Sequence, residues 1–307
     1  MTTATSEHVT YAYAVARAHP DLAPSLSALA GVAGARVRLL TAGGDEDSGG
    51  DIVLVVSQVA AADFREEGLR RHLEDLDWLE AVARAHHAVV EEVAARTPAL
   101  PLRLATVYVD DGSARDMLRS AVRLFTERLD LLAGQVEWGV KIYVEAPEPT
   151  APTAPRPAPT GPGSAPDPGS APDPDSATDP AAAPAADLSP GRAYLSARRR
   201  QRGDRDAVHR AAREAAERVG DVARAYATDR AAHRPQQGVL AGDAGENVFN
   251  DAFLVPRERS DAFRTEAARA GHGLAGVRVE VTGPWVPYSF AMPQDGTDEH
   301  AARGGTP

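Results

Sequence analysis

At 307 residues the chain is long enough for two domains, each with a core of its own. It has no cysteine, which excludes disulfides and thiolate metal sites, and its formal net charge of -11 argues against general binding of nucleic acid. No apolar run approaches the roughly 20 residues of a membrane-spanning helix, and the first residues carry neither a basic nor an apolar leader region, so a soluble, cytoplasmic protein is expected.

The first predicted strand spans 9–15, where large and small residues alternate with the period of two that a half-buried strand requires. A turn-rich stretch with Pro24 and Gly31 leads to a second strand at 35–40. Residues 41–50 hold four glycines and three acids, and a third strand follows at 52–56, so the two strands flank a long hairpin loop. Leu69, Leu73, Leu76, Leu79, Ala83, His86, Val90 and Val93 step by four or three, which predicts one long helix with a core-facing stripe. Asp63, with Glu66 three residues on, opens it, and Thr97-Pro98 ends it because the residue before a proline is pushed out of the helical region. A strand at 102–107, a turn at Asp110-Asp111-Gly112 and a helix over 113–132 follow, the helix with Leu118, Val122, Phe125, Leu129 and Leu132 on its apolar side. A strand at 136–144 comes next. Strands first in a hairpin and then alternating with helices indicate an α+β domain with a mostly antiparallel sheet over 1–135.

Composition breaks at 147. From there to 187 no side chain is larger and more apolar than alanine or proline apart from the charged ones, and such a segment cannot offset its ordering entropy. It carries a tandem hexapeptide at 163–168 and 169–174. Residues 147–189 are therefore expected to be a disordered Pro/Ala-rich insert stiffened by its prolines, with docking to a proline-binding module as the alternative.

A long helix is predicted over 191–233, with Gly203 as a candidate interruption and Val208, Ala212, Ala215, Val219, Val222 and Tyr226 as a narrow seam. Arg198, Arg199, Arg200 and Arg202 read as a solvated basic helix end rather than a nucleic-acid patch, because aromatics for stacking are sparse. Short strands are predicted at 237–241 and 247–255, a helix from Pro256 to Gly271, and a strand at 277–281 ended by Gly283-Pro284. With residues 136–146 supplying its first strand, 190–292 gives the order βαββαβ, a ferredoxin-like domain with a long helix. Residues 293–307 form a polar tail expected to be disordered.

Catalytic patterns fail the tests of context. Gly271 to Gly276 has the glycine spacing of a dinucleotide fingerprint, but it follows a helix and precedes a strand, the reverse of what places phosphate at a helix N-terminus. No phosphate loop or nucleophile elbow is present. His87 and Glu91 are four apart on a helix, a spacing that can hold a metal, yet no third ligand is evident, and His86 and His87 read as structural histidines. No catalytic, cofactor-binding or metal residue is assigned, and no cofactor is expected. The most distinctive local sequence is 283–291, where two prolines restrict the backbone while Trp285, Tyr288 and Phe290 supply apolar area. It is either a strap closing the second core or a rigid aromatic anchor for a partner.

Several stretches together resemble the GvpL/GvpF family of gas vesicle proteins: His72-Leu73-Glu74-Asp75-Leu76, the pair His86-His87, Leu100-Pro101-Leu102-Arg103, the strand from Val136 to Lys141, the strand 247–255, and above all Gly283-Pro284-Trp285-Val286-Pro287-Tyr288-Ser289-Phe290. The family often carries Phe-Gly after that arginine, where Leu104-Ala105 stand here. The resemblance implies an accessory, structural protein of gas vesicle assembly, without enzymatic activity, located at the gas vesicle. It also implies that the chain associates with the hydrophobic wall protein and other gas vesicle proteins, with Trp285, Tyr288 and Phe290 as candidate contacts. A small-molecule-binding or enzymatic ferredoxin-like protein is the rival reading, since fold alone does not separate the two.

Overall fold

The computed structural model describes residues 7–42, 51–72, 74–145, 190–235 and 245–292, so the insert, the strand expected at 237–241, most of the hairpin loop and the tail lie outside the described residues. The architecture is mixed helix and antiparallel sheet. The first sheet has the order β2-β3-β1-β4, built from β1 (His8–Arg17), β2 (Arg38–Thr41), β3 (Ile52–Ala60) and β4 (Ala99–Pro101), with β5 (Val107–Tyr108) also on β1. The second sheet has the order β7-β8-β6-β9, built from β6 (Gln135–Val144), β7 (Asp229–Ala232), β8 (Glu246–Pro256) and β9 (Val277–Trp285).

Both faces of the first sheet are covered, which is why β3 reads Ile52-Val53-Leu54-Val55-Val56 without polar interruption. Val53 and Val55 face one core with Tyr11, Tyr13 and Phe64, while Ile52, Leu54 and Val56 face another. A register shift in β1 between Ala12 and Ala14 changes the alternation, so that Tyr13 and Ala14 both face the first core. Over that core lie α1 (Leu22–Ser27) and α4 (Leu76–Ala94).

The long helix expected from residue 63 is broken. Two short helices, α2 (Ala61–Phe64) and α3 (Glu66–His72), precede α4, because Asp75 caps α4 by accepting a hydrogen bond from the Trp78 N–H at 3.0 Å. The buried stripe of α4 is Val82, His86, Val89, Val90 and Val93; Ala83 and Leu76, expected on it, are exposed. The strand expected at 102–107 also splits. β4 pairs with Ala14–Ala16 and β5 with Thr10–Tyr11, one on each side of the register shift in β1, and the chain loops out between them. In that loop Ala105 has φ 61, a conformation glycine adopts freely and alanine does not, and its N–H donates to the Tyr11 hydroxyl at 3.1 Å.

The helix expected over 113–132 is two helices, α5 (Asp111–Ser120) and α6 (Val122–Leu132), meeting at Ala121. Asp110 caps α5 by accepting from the Ser113 N–H at 2.8 Å. Asp111 then fixes α5 to the first sheet, since it accepts from both ends of the Arg38 guanidinium at 2.8 and 2.6 Å and from the Thr10 hydroxyl at 2.8 Å. α5 and α6 form a middle layer. Leu118, Phe125, Leu129 and Leu132 share one core with Ala12, Val15 and Leu54 of the first sheet and with Ala231, Ala252 and Leu254 of the second.

The outer face of the second sheet carries α7 (Pro190–Tyr226) and α8 (Ser260–Arg269). Val136, Trp138, Val140, Ile142 and Val144 of β6 alternate onto this side against Ala212, Ala215 and Val219 of α7 and Phe263 of α8. α7 runs through Gly203 without interruption and stops at Tyr226, and the residues expected to continue it form β7 instead. Pro256 closes β8 rather than opening a helix; a 3-10 turn at Arg257–Arg259 intervenes before α8. β9 continues past Gly283-Pro284 to Trp285, where a proline is tolerated because β9 lies at the sheet edge.

Candidate partner-binding site at the C-terminal strap

The segment after β9 leaves the second sheet and returns to the first. Its path begins at Gly283, φ 135, where a Cβ would stand 2.8 Å from the Glu137 carbonyl oxygen and 3.0 Å from the Trp138 ring, so only glycine lets the chain lie this close to β6. Val286 packs against the core over the first sheet, and Phe290, in a 3-10 turn (Tyr288–Phe290), enters the core shared by both sheets with Ala291.

A polar latch fixes the turn. The Ser289 N–H and hydroxyl donate to the two Glu137 carboxylate oxygens at 2.9 and 2.8 Å. Because the single hydroxyl proton goes to Glu137, the His233 Nε2 at 3.1 Å from the same oxygen is the donor of that bond. Burial pushes the Glu137 carboxyl above the usual range, while the Ser289 bonds and His233 oppose the shift.

Beneath the strap lies a row of aromatic and histidine rings. His86 is 3 % exposed and its Nδ1 lies 2.9 Å from the Tyr11 hydroxyl. That hydroxyl also accepts from the Ala105 N–H at 3.1 Å, which leaves its own proton free for Nδ1. Nε2 has no hydrogen-bond partner among the described residues. Burial lowers the His86 pKa to about 4; the Leu102 backbone opposes this in part and neighbouring His87 adds to it. The ring is neutral at pH 7. His87, which could have offered a metal ligand, is paired with Glu91 at 3.0 Å, and among the described residues no group of three or more His, Cys, Asp or Glu side chains could hold a metal ion.

The three aromatic candidates separate here. Phe290 is 5 % exposed and belongs to the core, so it anchors the strap and presents no surface to a partner, a correction to its place among the candidate contacts. Trp285 is 46 % exposed, its ring 6.2 Å from that of His87, and Tyr288 is 37 % exposed, its ring 6.1 Å from that of His87. Burial pushes the Tyr288 hydroxyl well above its ordinary pKa, with Glu91 adding to the effect. Clefts open on both sides of the strap. One, of about 570 Å³, is bounded by Ala94, Pro98, Arg257, Pro284, Trp285 and Pro287. The other, of about 960 Å³, is bounded by Leu102, Tyr108, Met117, Phe125, Tyr288 and Met292. Sequence reading marked the aromatics but missed Glu137, His233 and Ser289, whose only local signal is an acid on the polar side of the β6 alternation.

Comparison with known proteins gives concordant results. The family model described as "Gas vesicle synthesis protein GvpL/GvpF" matches residues 9–292. Gas vesicle protein L of Streptomyces sp. (strain CB03234) is 39% identical over 286 residues, covering 93% of this chain and 94% of that protein. The crystal structure of the gas vesicle protein GvpF from Anabaena sp. PCC7120 superposes with a TM-score of 0.55 at 16% identity, over 94% of this chain and 97% of that one. That of GvpF from Microcystis aeruginosa gives 0.54 at 17%, over 92% and 99%. These two likenesses show a common mixed helix and antiparallel sheet fold, and among the described residues no helix is long and apolar enough to cross a membrane. Since the family match spans the strap as well as both sheets, the chain belongs to the GvpL/GvpF family of gas vesicle synthesis proteins.

Proposed function

We propose that this chain is an accessory, structural protein of gas vesicle assembly, without catalytic turnover, that binds the hydrophobic wall protein through the strap surface around Trp285 and Tyr288. It works in the cytoplasm and at the vesicle, alongside other gas vesicle proteins. Residues 1–135 serve as one α+β unit and 190–292, with the strand of 136–146, as a second, ferredoxin-like one, with the strap between them. The observation that supports this reading is that Trp285 stays exposed although Phe290 and the Glu137–Ser289 latch hold the strap to the body. A stiff aromatic ring held on a fixed backbone loses little conformational entropy when it covers an apolar partner.

The test is co-purification of the wall protein with wild type and with Trp285→Ala, beside their melting curves. The expected result is weakened capture at an unchanged melting temperature. Undiminished capture by a folded Trp285→Ala protein overturns the assignment of this surface.

A further inference from the structure

Among the described residues the first half of α7 buries no side chain, and its nearest approach to the body is at Arg205, which lines a cleft with Glu145 and Glu246. Core packing along this helix begins at Val208, and none of the described side chains from 195 to 207 is buried; Leu195 is 57 % exposed. At 1.5 Å per residue the span 190–207 is about 27 Å long. Within it Arg198, Arg202 and Arg205 follow at intervals of four and three, so they form one stripe about 10 Å long, with Arg199 beside it. None of these four arginines forms an ion pair with another described residue, whereas Arg218 and Arg224, farther along the same helix, are each paired with a carboxylate one turn away.

The arm extends a helix whose second half is packed on the body, so its turns propagate from a formed nucleus and its exposed surface is held in place. Charge selects what fits that surface. Residues 190–206 carry six arginines against Asp204 and Asp206, a net +4 within a chain of net charge -11, so the remainder carries -15. We propose that the first half of α7 is a docking arm for an acidic protein, one that presents a row of carboxylates at the helical spacing of four and three. A nucleic acid fits less well. Tyr194 is the arm's one aromatic residue, too few for stacking along a strand, and the acidic body would repel a polyanion longer than the arm.

The test uses the full chain and an alanine-based, fluorescein-labelled helical peptide with glutamates at that spacing, with a single-stranded oligodeoxynucleotide as the comparison. The wild type is expected to bind the peptide, with affinity falling as salt rises from about 50 to about 300 mM. Bound peptide should also protect amides of 190–207 from exchange. The triple change Arg198→Glu, Arg202→Glu, Arg205→Glu should weaken binding at least about tenfold, at an unchanged melting temperature because these side chains are exposed. Equal binding by wild type and triple variant overturns the proposal. Tighter binding of the oligodeoxynucleotide through the same arginines overturns it in favour of a nucleic-acid surface, and self-association lost in the triple variant overturns it in favour of a second copy of this chain.

Discussion

Acidification should loosen this protein through one side chain, His86. Its ordinary pKa is 6.5 and burial lowers it to about 4, so between these values the unfolded chain binds a proton that the folded chain refuses. The unfolded state then holds more protons, and stability rises with pH across the window. The contribution is fully present above about 6.5 and is lost as pH falls toward about 4. At about 1.4 kcal/mol per pH unit, the gap of about 2.5 units corresponds to about 3 kcal/mol, a large share of the stability of an ordinary domain. Glu137 acts with the opposite sign, because a carboxyl raised above its ordinary value makes the folded state the better proton acceptor, and its contribution falls as pH rises through the raised value. The assay must therefore isolate His86. Urea unfolding of wild type and His86→Gln at pH 7, 6, 5 and about 4.5 leaves Glu137 common to both, and the glutamine retains an acceptor for Tyr11. The expected outcome is a variant with lower stability at pH 7, by about 1 to 2 kcal/mol, but a flatter pH profile. Parallel profiles for the two proteins would refute the reasoning.

Phe290→Ala should cost about 3–5 kcal/mol of unfolding free energy by urea titration, as large-to-small changes in a packed core do. A loss below about 1 kcal/mol would show that the strap does not close the shared core. Ala105→Gly should raise stability by about 1 kcal/mol, because glycine relieves the positive φ while keeping the N–H bond to Tyr11; a lower urea midpoint would contradict this.

Much of the fold was legible where one strand or helix has one covered face. The alternation in β6 and the apolar residues of α6 follow from that condition, whereas β1, expected to be half-buried, is covered on both faces and alternates only in side-chain size. The misreadings share a different cause. α3 and α4 were read as one helix because the periodic stripe passes over Asp75, whose capping role depends on where the preceding turn ends. The strand at 102–107 was interrupted by an irregularity in its partner β1, which no local pattern in 102–107 carries. β7, Asp229-Arg230-Ala231-Ala232, has a composition closer to helix than to strand and forms because β8 offers it an edge. At the candidate site the aromatics of the strap stood out, whereas their separation into Phe290 inside and Trp285 outside depends on where a chain end crosses a surface formed by residues almost 200 positions earlier.

The middle layer and the strap impose an order on synthesis. Phe290 fills a core whose other walls are α5, α6 and the first sheet, all of which leave the ribosome long before it. Until β8 emerges the nascent first half carries an uncovered apolar face on α6, where Ala252 and Leu254 will later sit, and until the strap emerges an open slot for Phe290. A chain stopped between β6 and the strap therefore leaves this core open, with its apolar walls exposed.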